Sequence, residues 1–463
     1  MKKIIPIFYS EYGRYINRFR AIPSFIDGLK PVERRVLLSL HREGRKKAVK
    51  SATIVGYALG HLHPHGDQSL YGTLVNIVEQ GYAKGEGNWG SPGLEDAPAA
   101  AYRYTEVSLR KWVDDLAFTY LDEKYVPYQE FELEVEPLYL PSPIPIGLIG
   151  HGVITGISFY RTLIPKYKLS DLSKRLSWIL HGKKKEDEII IQPNSKDCTI
   201  SEAEPGDFQK ILTTGVGSIN YTPHGKLEHK NLRIQGRAPN SSFGSLVNDQ
   251  EKLDINLIDH SSSHIDILIE PRKKSTNLTP LATTIWQNYL IRKLNFNCLF
   301  CDNEGNVETY GIDDILSYNY NLWKYSVQLK NIDDFNKLSN RKVDLMIVQI
   351  IRYIFEQYKS NTVEEIITHF KELKKNTDIS IEIDIFDVDS DTWKKEIKQI
   401  HEQDIIDICN KRTIKNLVET VIDIQKVEKE LLSAKSLINN CEKNCLDFIT
   451  ELSKGSVTST TTR

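Results

Sequence analysis

KSATIVGYALGHLHPHGDQSLY, residues 50–71, is the stretch on which the fold turns. From Ser51 to about Gly60 it reads as a short helix. Gly66 and Asp67 then break the chain, with Asp67 as the N-cap of a second helix that turns Leu70, Leu74, Ile77 and Val78 inward. Between the two helices His61, His63 and His65 alternate. An extended backbone brings alternate histidines to one face, so a metal ion is one reading, yet no Cys, Asp or Glu at ligand spacing completes such a site locally. The other reading uses the turn. His63 and His65 stand beside a helix N-terminus, whose unpaired N–H groups and positive dipole end favour an anion, with a phosphate as the natural ligand.

Upstream, Pro31 suits the first turn of another helix, in which Val32, Val36, Leu37 and Leu40 recur at helical spacing and which carries Arg34 and Arg35. Three short helices with a tight turn before the last resemble a helix-turn-helix unit. Residues 1–50 hold thirteen Lys or Arg against four Asp or Glu, although the whole chain stands at −2. Clustered cations make a phosphate-facing surface through counterion release, and a merely solvated face is the competing reading. After a Gly-rich loop, Leu109, Trp112, Val113, Leu116, Ala117 and Tyr120 predict an amphipathic helix.

At 463 residues the chain exceeds one ordinary core, and two to four compact units are expected. It is 40% hydrophobic and 26% charged, with no apolar run able to span a bilayer and no signal-peptide layout, so a soluble, cytoplasmic protein with no membrane partner is expected. The six scattered cysteines suggest reduced thiols. From about residue 126, proline-punctuated segments lead to the strand-like runs DEIII (187–191), HIDILIE (264–270) and FNCLFCDNEGNVETY (296–310), the last a hairpin turning at Asp302 to Asn306. Beyond about residue 326 the pattern is helical. Val343, Met346, Ile347, Ile350, Ile354 and Tyr358 share a face, Ile414, Leu417, Val421, Ile424, Val427, Leu431, Ala434 and Ile438 form a coiled-coil-like seam with one irregular step, and two long helices separated by a smaller helical insert suggest an antiparallel pair.

Several signals fail on inspection. GEGNWG (85–90) has the glycine spacing of a dinucleotide loop but follows no Val/Ile-rich strand and opens no helix. Cys298 and Cys301 lie in an alternating strand, where an offset of three sends them to opposite faces. Asp387, Asp389 and Asp391 imitate a calcium loop, but Thr392 replaces the turn glycine and Lys398 the bidentate Glu, so no metal site is assigned.

AAAYRYTE (99–106) sets Arg103 directly before Tyr104. A phenol is almost wholly protonated at neutral pH, so its attack on phosphorus needs a proton acceptor and cations that stabilise the phenolate and the pentacoordinate phosphate. Arg103, Lys30, Arg34 and His65 are the right residue types; a packing role is the ordinary reading of any one tyrosine among 22.

DGLKPVERR (27–35), KSATIVGYALGHLHPHGDQSLY, GEGNWGS (85–91) and AAAYRYTE appear in the order and spacing of type IIA DNA topoisomerases, and the chain resembles their DNA cleavage and rejoining subunit. The likeness extends to GHGVITGISFYRTLIP (150–165) and TTGVGSI (213–219). It implies that Tyr104 forms a 5′-phosphotyrosyl link to DNA, that Arg103 stabilises the transition state, that His65 lies near the scissile phosphate, and that Lys30, Arg34, Arg35, Lys50 and His63 contact DNA. Ile164 looks like the isoleucine that wedges between base pairs. Ile26 stands where many bacterial relatives carry an arginine, which agrees with a phage or viral origin and, in that case, the host cytoplasm.

The fold class expected is α+β and multidomain: an N-terminal arm (1–25), a winged-helix DNA-cleavage domain (26–149), an α/β tower (150–325), a coiled coil with a terminal dimer gate (326–452) and a disordered tail (453–463). The resemblance further implies double-stranded DNA as substrate, a homodimer of this chain, and a partner that binds Mg2+ and ATP to complete a heterotetramer. Two competing classes are a non-catalytic DNA-binding or scaffolding protein, which would lack the Arg–Tyr pair, and a metal-dependent nuclease built on the histidines.

Overall fold

A computed structural model describes residues 4–64, 66–131, 134–182, 184–228, 231–273, 278–360, 362–375, 397–411, 413–418 and 424–455. His65, Val421, the acidic run at 387–391 and tail residues 456–463 lie outside the described residues. Helices and antiparallel sheets give an α+β chain that divides into two compact units, Met1–Ser326 with Cys445–Arg463, and Val327–Asn444. Among the described residues no helix is long and apolar enough to cross a membrane.

The first unit opens with α1 (Ile4–Ile16), α2 (Pro31–Glu43), β1 (Val49–Lys50), α3 (Ser51–Tyr57), α4 (Asp67–Glu79), β2 (Ala83–Glu86), β3 (Glu106–Leu109) and α5 (Lys111–Ala117). Val36, Leu37 and Leu40 of α2, Ile54 and Val55 of α3, and Leu70, Leu74 and Ile77 of α4 are buried together. Each such side chain removed from water contributes about 1.5–3 kcal/mol. β3 runs between β1 and β2, pairing Val49 with Val107, Lys50 with Glu106 and Ala83 with Leu109. Two sequence expectations change here. Gly66, at φ 69°, caps α4, and Asp67 is its first residue. Leu109 belongs to β3 because alternation with Val107 buries both, so the following helix is short and stops before Tyr120.

Next come β4 (Tyr128–Phe131), β5 (Glu134–Pro137), β6 (Val153–Ile157), β7 (Arg161–Pro165), α6 (Leu169–Leu180), β8 (Cys198–Glu202), α7 (Asp207–Thr214), β9 (Val216–Pro223), β10 (Gly225–Glu228), β11 (Asn231–Ile234), α8 (Gly244–Asn248), β12 (Ile255–Asp259), β13 (Ile267–Pro271), α9 (Leu278–Ile285), β14 (Arg292–Asn297), β15 (Leu299–Cys301) and β16 (Val307–Thr309). They build a five-stranded sheet, β6-β7-β14-β9-β8, and a four-stranded one, β10-β11-β13-β12. The predicted hairpin is β15–β16, with the Asp302 carboxylate accepting from the Glu304 and Asn306 N–H groups. DEIII forms no strand. Glu188 and the Ile189 carbonyl instead accept from the buried Arg175 guanidinium. Cys298 and Cys301 are both buried and free, because both faces of their segment are covered, and burial pushes the Cys301 thiol up to about 12.

The second unit is helical. It contains most of α10 (Ile312–Tyr358), then α11 (Val363–Lys375), α12 (Glu402–Lys411), α13 (Ile414–Val418), α14 (Ile424–Asn439) and the start of α15 (Cys441–Ser453). Met346, Ile347, Ile350 and Ile354 pack with Ile366, Phe370, Ile405, Leu417 and Ile424, whereas Val343 and Tyr358 at the ends of the predicted stripe are exposed. Lys342 pairs with Glu428 of α14 at 2.9 Å and Asn331 meets Cys441, at the start of α15, at 3.8 Å, so α10 runs antiparallel to the α14–α15 stretch.

Candidate functional site

The Arg103–Tyr104 turn is held from three sides. Tyr71 of α4 donates to the Ala100 carbonyl and stands 3.2 Å from Thr105 Oγ1. Thr105 Oγ1 donates to Ser51 Oγ at 2.8 Å, and the Ser51 N–H to the Thr105 carbonyl at 2.9 Å, at the start of α3. Tyr102 donates to Asp67 Oδ2 at 3.2 Å, and the Ala100 N–H to the Asn88 carbonyl at 3.0 Å. Gly87, at φ 98°, lies so close that a β-carbon there would stand 3.2 Å from the Tyr104 carbonyl. The consequence is a sharp contrast between neighbours: Thr105 is fully buried while Tyr104 is 65% exposed. The Arg103 guanidinium carbon lies 4.9 Å from the Tyr104 ring centroid. The adjacent Tyr104 side chain holds the Arg103 pKa above its ordinary value.

The other predicted residues divide. Arg34 and Arg35, read from the sequence as DNA contacts, are corrected to buried structural cations. Arg34 Nε and Nη2 bind the two Asp27 oxygens at 2.7 and 2.9 Å, and although burial opposes its charge, Asp27 keeps its pKa raised. Arg35 Nε and Nη2 bind Glu136 at 2.7 and 2.9 Å, and its Nη1 meets His63 Nδ1 at 2.7 Å. Guanidiniums already clasped by carboxylates and buried cannot also neutralise a solvent-borne phosphate without opening the core. Since a guanidinium only donates, His63 Nδ1 must accept and the ring proton sits on Nε2; His63 too is buried rather than facing outward. His61 is exposed and stacked on Tyr57, so the two described histidines of the triplet enter different surroundings. Among the described residues, no three His, Cys, Asp or Glu side chains cluster as a metal-binding set.

Lys30 is half-buried at the head of α2, and Lys50 is exposed and paired with Glu106 at 2.6 Å. Arg45, Lys46 and Lys47 are exposed on the loop before β1, Arg45 pairing with Asp114 at 3.0 Å, and Arg42 is exposed in the last turn of α2. Ile164 requires correction as well. It is fully buried in β7 opposite Ile154, whereas Ile157 at the end of β6 is 74% exposed and leads into Phe159 and Tyr160, also exposed. The sequence signal was available: in GISFYRTLIP the turn residues Ser158 to Tyr160 separate two alternating segments, which puts Ile157 at the tip and Ile164 within the strand.

One residue that the sequence did not single out is Lys166. Its ammonium is buried and donates to the Tyr82 hydroxyl at 3.1 Å. Burial lowers its pKa to about 8, opposed by Glu33 and assisted by Lys30.

A turn beside the small antiparallel sheet thus presents a solvent-facing tyrosine next to an exposed arginine. Residues 20–454 match the family of DNA gyrase and topoisomerase IV A subunits, and the chain belongs to that family. It is 39% identical over 228 residues to the gyrase A subunit of Haemophilus influenzae, covering 46% of this chain and 25% of that one. With the chloroplastic/mitochondrial gyrase A subunit of Nicotiana benthamiana it shares 30% identity over 292 residues, 60% of this chain and 28% of the relative. The topoisomerase 4 A subunit of Haemophilus influenzae is 30% identical over 256 residues, 52% and 34% respectively. The matches thus span about a quarter to a third of these relatives' length.

Proposed function

We propose that this chain is the DNA cleavage and rejoining subunit of an ATP-dependent type IIA topoisomerase, with Tyr104 as nucleophile. The observation that carries the reading is an exposed phenol with the Arg103 guanidinium 4.9 Å from its ring centroid, on a turn whose flanking residues are locked to α3 and α4. In the forward step Tyr104 Oη bonds to phosphorus while the P–O3′ bond breaks. The phenolic proton leaves and the 3′-oxygen gains one, so the released end is a 3′-hydroxyl and the 5′ end is a phosphotyrosine. The reverse attack restores the strand, and no high-energy cofactor is consumed because one phosphodiester replaces another. Arg103 stabilises the charge that develops on the phosphate. His65 is assigned beside the scissile phosphate, with Lys30, Lys50 and the exposed Arg45–Lys47 loop contacting the backbone.

Residues 26–149 are assigned as the winged-helix domain, its helices α2, α3 and α4 accompanied by the β1-β3-β2 sheet; residues 150–325 as the tower; residues 326–452 as the coiled coil and dimer gate. The wedge between base pairs is assigned to Ile157 at the hairpin tip. GEGNWG packs against the Tyr104 turn rather than opening a helix, so it is not assigned to ATP, and Mg2+ is not assigned to this chain. Both are assigned to a partner protein, completing a heterotetramer around a dimer of this chain and its duplex. The intact Arg–Tyr pair disfavours a non-catalytic scaffold.

Mixing the full chain with its magnesium- and ATP-binding partner, Mg2+ and supercoiled DNA, then adding detergent, is expected to trap protein-linked breaks, with none from Tyr104→Phe. An adduct formed by that variant would refute the assignment, and cleavage without attachment would favour a hydrolytic nuclease.

A further inference from the structure

The segment Ser91 to Ala97 leads into the nucleophile turn but rests on the four-stranded sheet. Its ends are closed by paired hydrogen bonds between Ser91 and Ala97, of 3.1 and 2.9 Å. Its crest makes three separate contacts with that sheet and its flank. Arg237, just after β11, clasps Asp96 with two hydrogen bonds of 3.0 and 2.8 Å. Asp259, the last residue of β12, accepts from the Leu94 N–H at 2.8 Å. The Leu94 side chain packs against the core formed by Leu232, Ile234, Phe243 and their neighbours. Gly93 permits this approach, since a β-carbon there would stand 2.7 Å from Asp259 Oδ2. Ser91, Pro92 and Asp96 of the segment line a cavity of about 630 Å3 together with Val78, Trp89, Lys196 and Ile265. Three residues beyond Ala97, Ala100 is tied to Asn88, and Tyr104 closes its turn on Ala101.

We infer that Arg237, Asp259 and Leu94 make the 91–97 segment a strut by which the four-stranded sheet positions the Arg103–Tyr104 turn. Arg237 and Asp259 are positioning residues for the cleavage reaction; neither is placed at the reacting atoms. This role rests on the reading of Tyr104 as the nucleophile. Small displacements of a nucleophile are costly to rate while leaving remote binding contacts intact, so the strut acts on the chemical step and not on DNA affinity.

The test uses Arg237→Ala and Asp259→Ala in the full chain, with two readouts. In the chain alone, hydrogen exchange at the Ala100 and Tyr104 amides is expected to quicken about 5-fold or more, with exchange in β3 and the thermal midpoint unchanged. In the complex with the magnesium-binding partner, adduct formation at saturating duplex is expected to slow about 3- to 10-fold at unaltered DNA affinity. The double variant Asp96→Arg/Arg237→Asp is expected to recover most of the loss, because the pair is rebuilt with its charges exchanged. Unchanged exchange at residues 97–104, or a loss of DNA affinity parallel to the loss of rate, would overturn the strut. If the unaltered chain forms no adduct, the nucleophile assignment fails instead, and the exchange experiment still decides whether the sheet holds the turn.

Discussion

Arg34 and Arg35 on α2 and Arg103 ahead of β3 lie within 70 residues of one another in the same unit, and the fold treats them in opposite ways. On α2 the guanidiniums point inward, each engaged through two nitrogens by a buried carboxylate, Asp27 or Glu136. Ahead of β3 the guanidinium is exposed and its neighbour is the ring of a phenol. A buried ion pair is strongly destabilised when one member is removed, because the other is left charged and dry, whereas an exposed cation leaves nothing stranded. Arginine content alone therefore does not locate a phosphate site; the supply of carboxylates around each arginine does.

That contrast can be broken experimentally. The largest effect belongs to Tyr104→Phe, expected to reduce detergent-trapped adduct by more than about 10^3-fold with an unchanged unfolding midpoint, since the lost hydroxyl is on an exposed side chain. Arg103→Ala follows, with adduct formation slowed about 10^2- to 10^3-fold and stability within about 0.5 kcal/mol of the parent by urea titration. Arg34→Ala or Arg35→Ala should do the reverse, lowering stability by about 3–5 kcal/mol. If either leaves stability untouched while weakening DNA binding, these arginines face the nucleic acid after all and the comparison falls.

Lys166 sharpens the same point from the other side, as a buried cation without a carboxylate at hydrogen-bond distance. Its folded pKa of about 8 lies below the ordinary 10.5. Below pH 8 both folded and unfolded chains hold the proton, and the burial cost is fully present. Between about 8 and 10.5 the unfolded chain binds more protons, so stability rises with pH across that window. Lys166→Met is expected to add about 1–3 kcal/mol at pH 7 and to flatten that rise, as followed by denaturant titration at several pH values. The smallest effect is that of Lys50→Ala. Its ion pair with Glu106 is exposed and worth at most about 1 kcal/mol, so stability should barely change while DNA affinity falls a few-fold and its salt slope drops by about one.

Legibility in the sequence followed the range of the interactions. The helices of residues 31–79, the β15–β16 hairpin and the apolar stripe of α10 depend on spacing within a few residues, and periodicity found them. The Arg103–Tyr104 pair is adjacent in sequence and needed no fold to be noticed. Glu136 lies 101 residues from Arg35, and nothing local announces it. Ile164 shows a middle case: the motif was in view, but which of its apolar residues faces water depends on where the turn falls in the β6–β7 hairpin.

Composition, spacing and motif order were enough to determine an α+β chain, its helical final third, its family likeness and the tyrosine to test, because each follows from chemistry between near neighbours. Only the tertiary structure decided which cations are spent inside the core, that Tyr104 emerges beside a fully buried Thr105, and that a distant sheet supports the approach to it. Burial and long-range pairing are properties of the assembled surface, and a linear pattern cannot encode them until the chain has folded back upon itself.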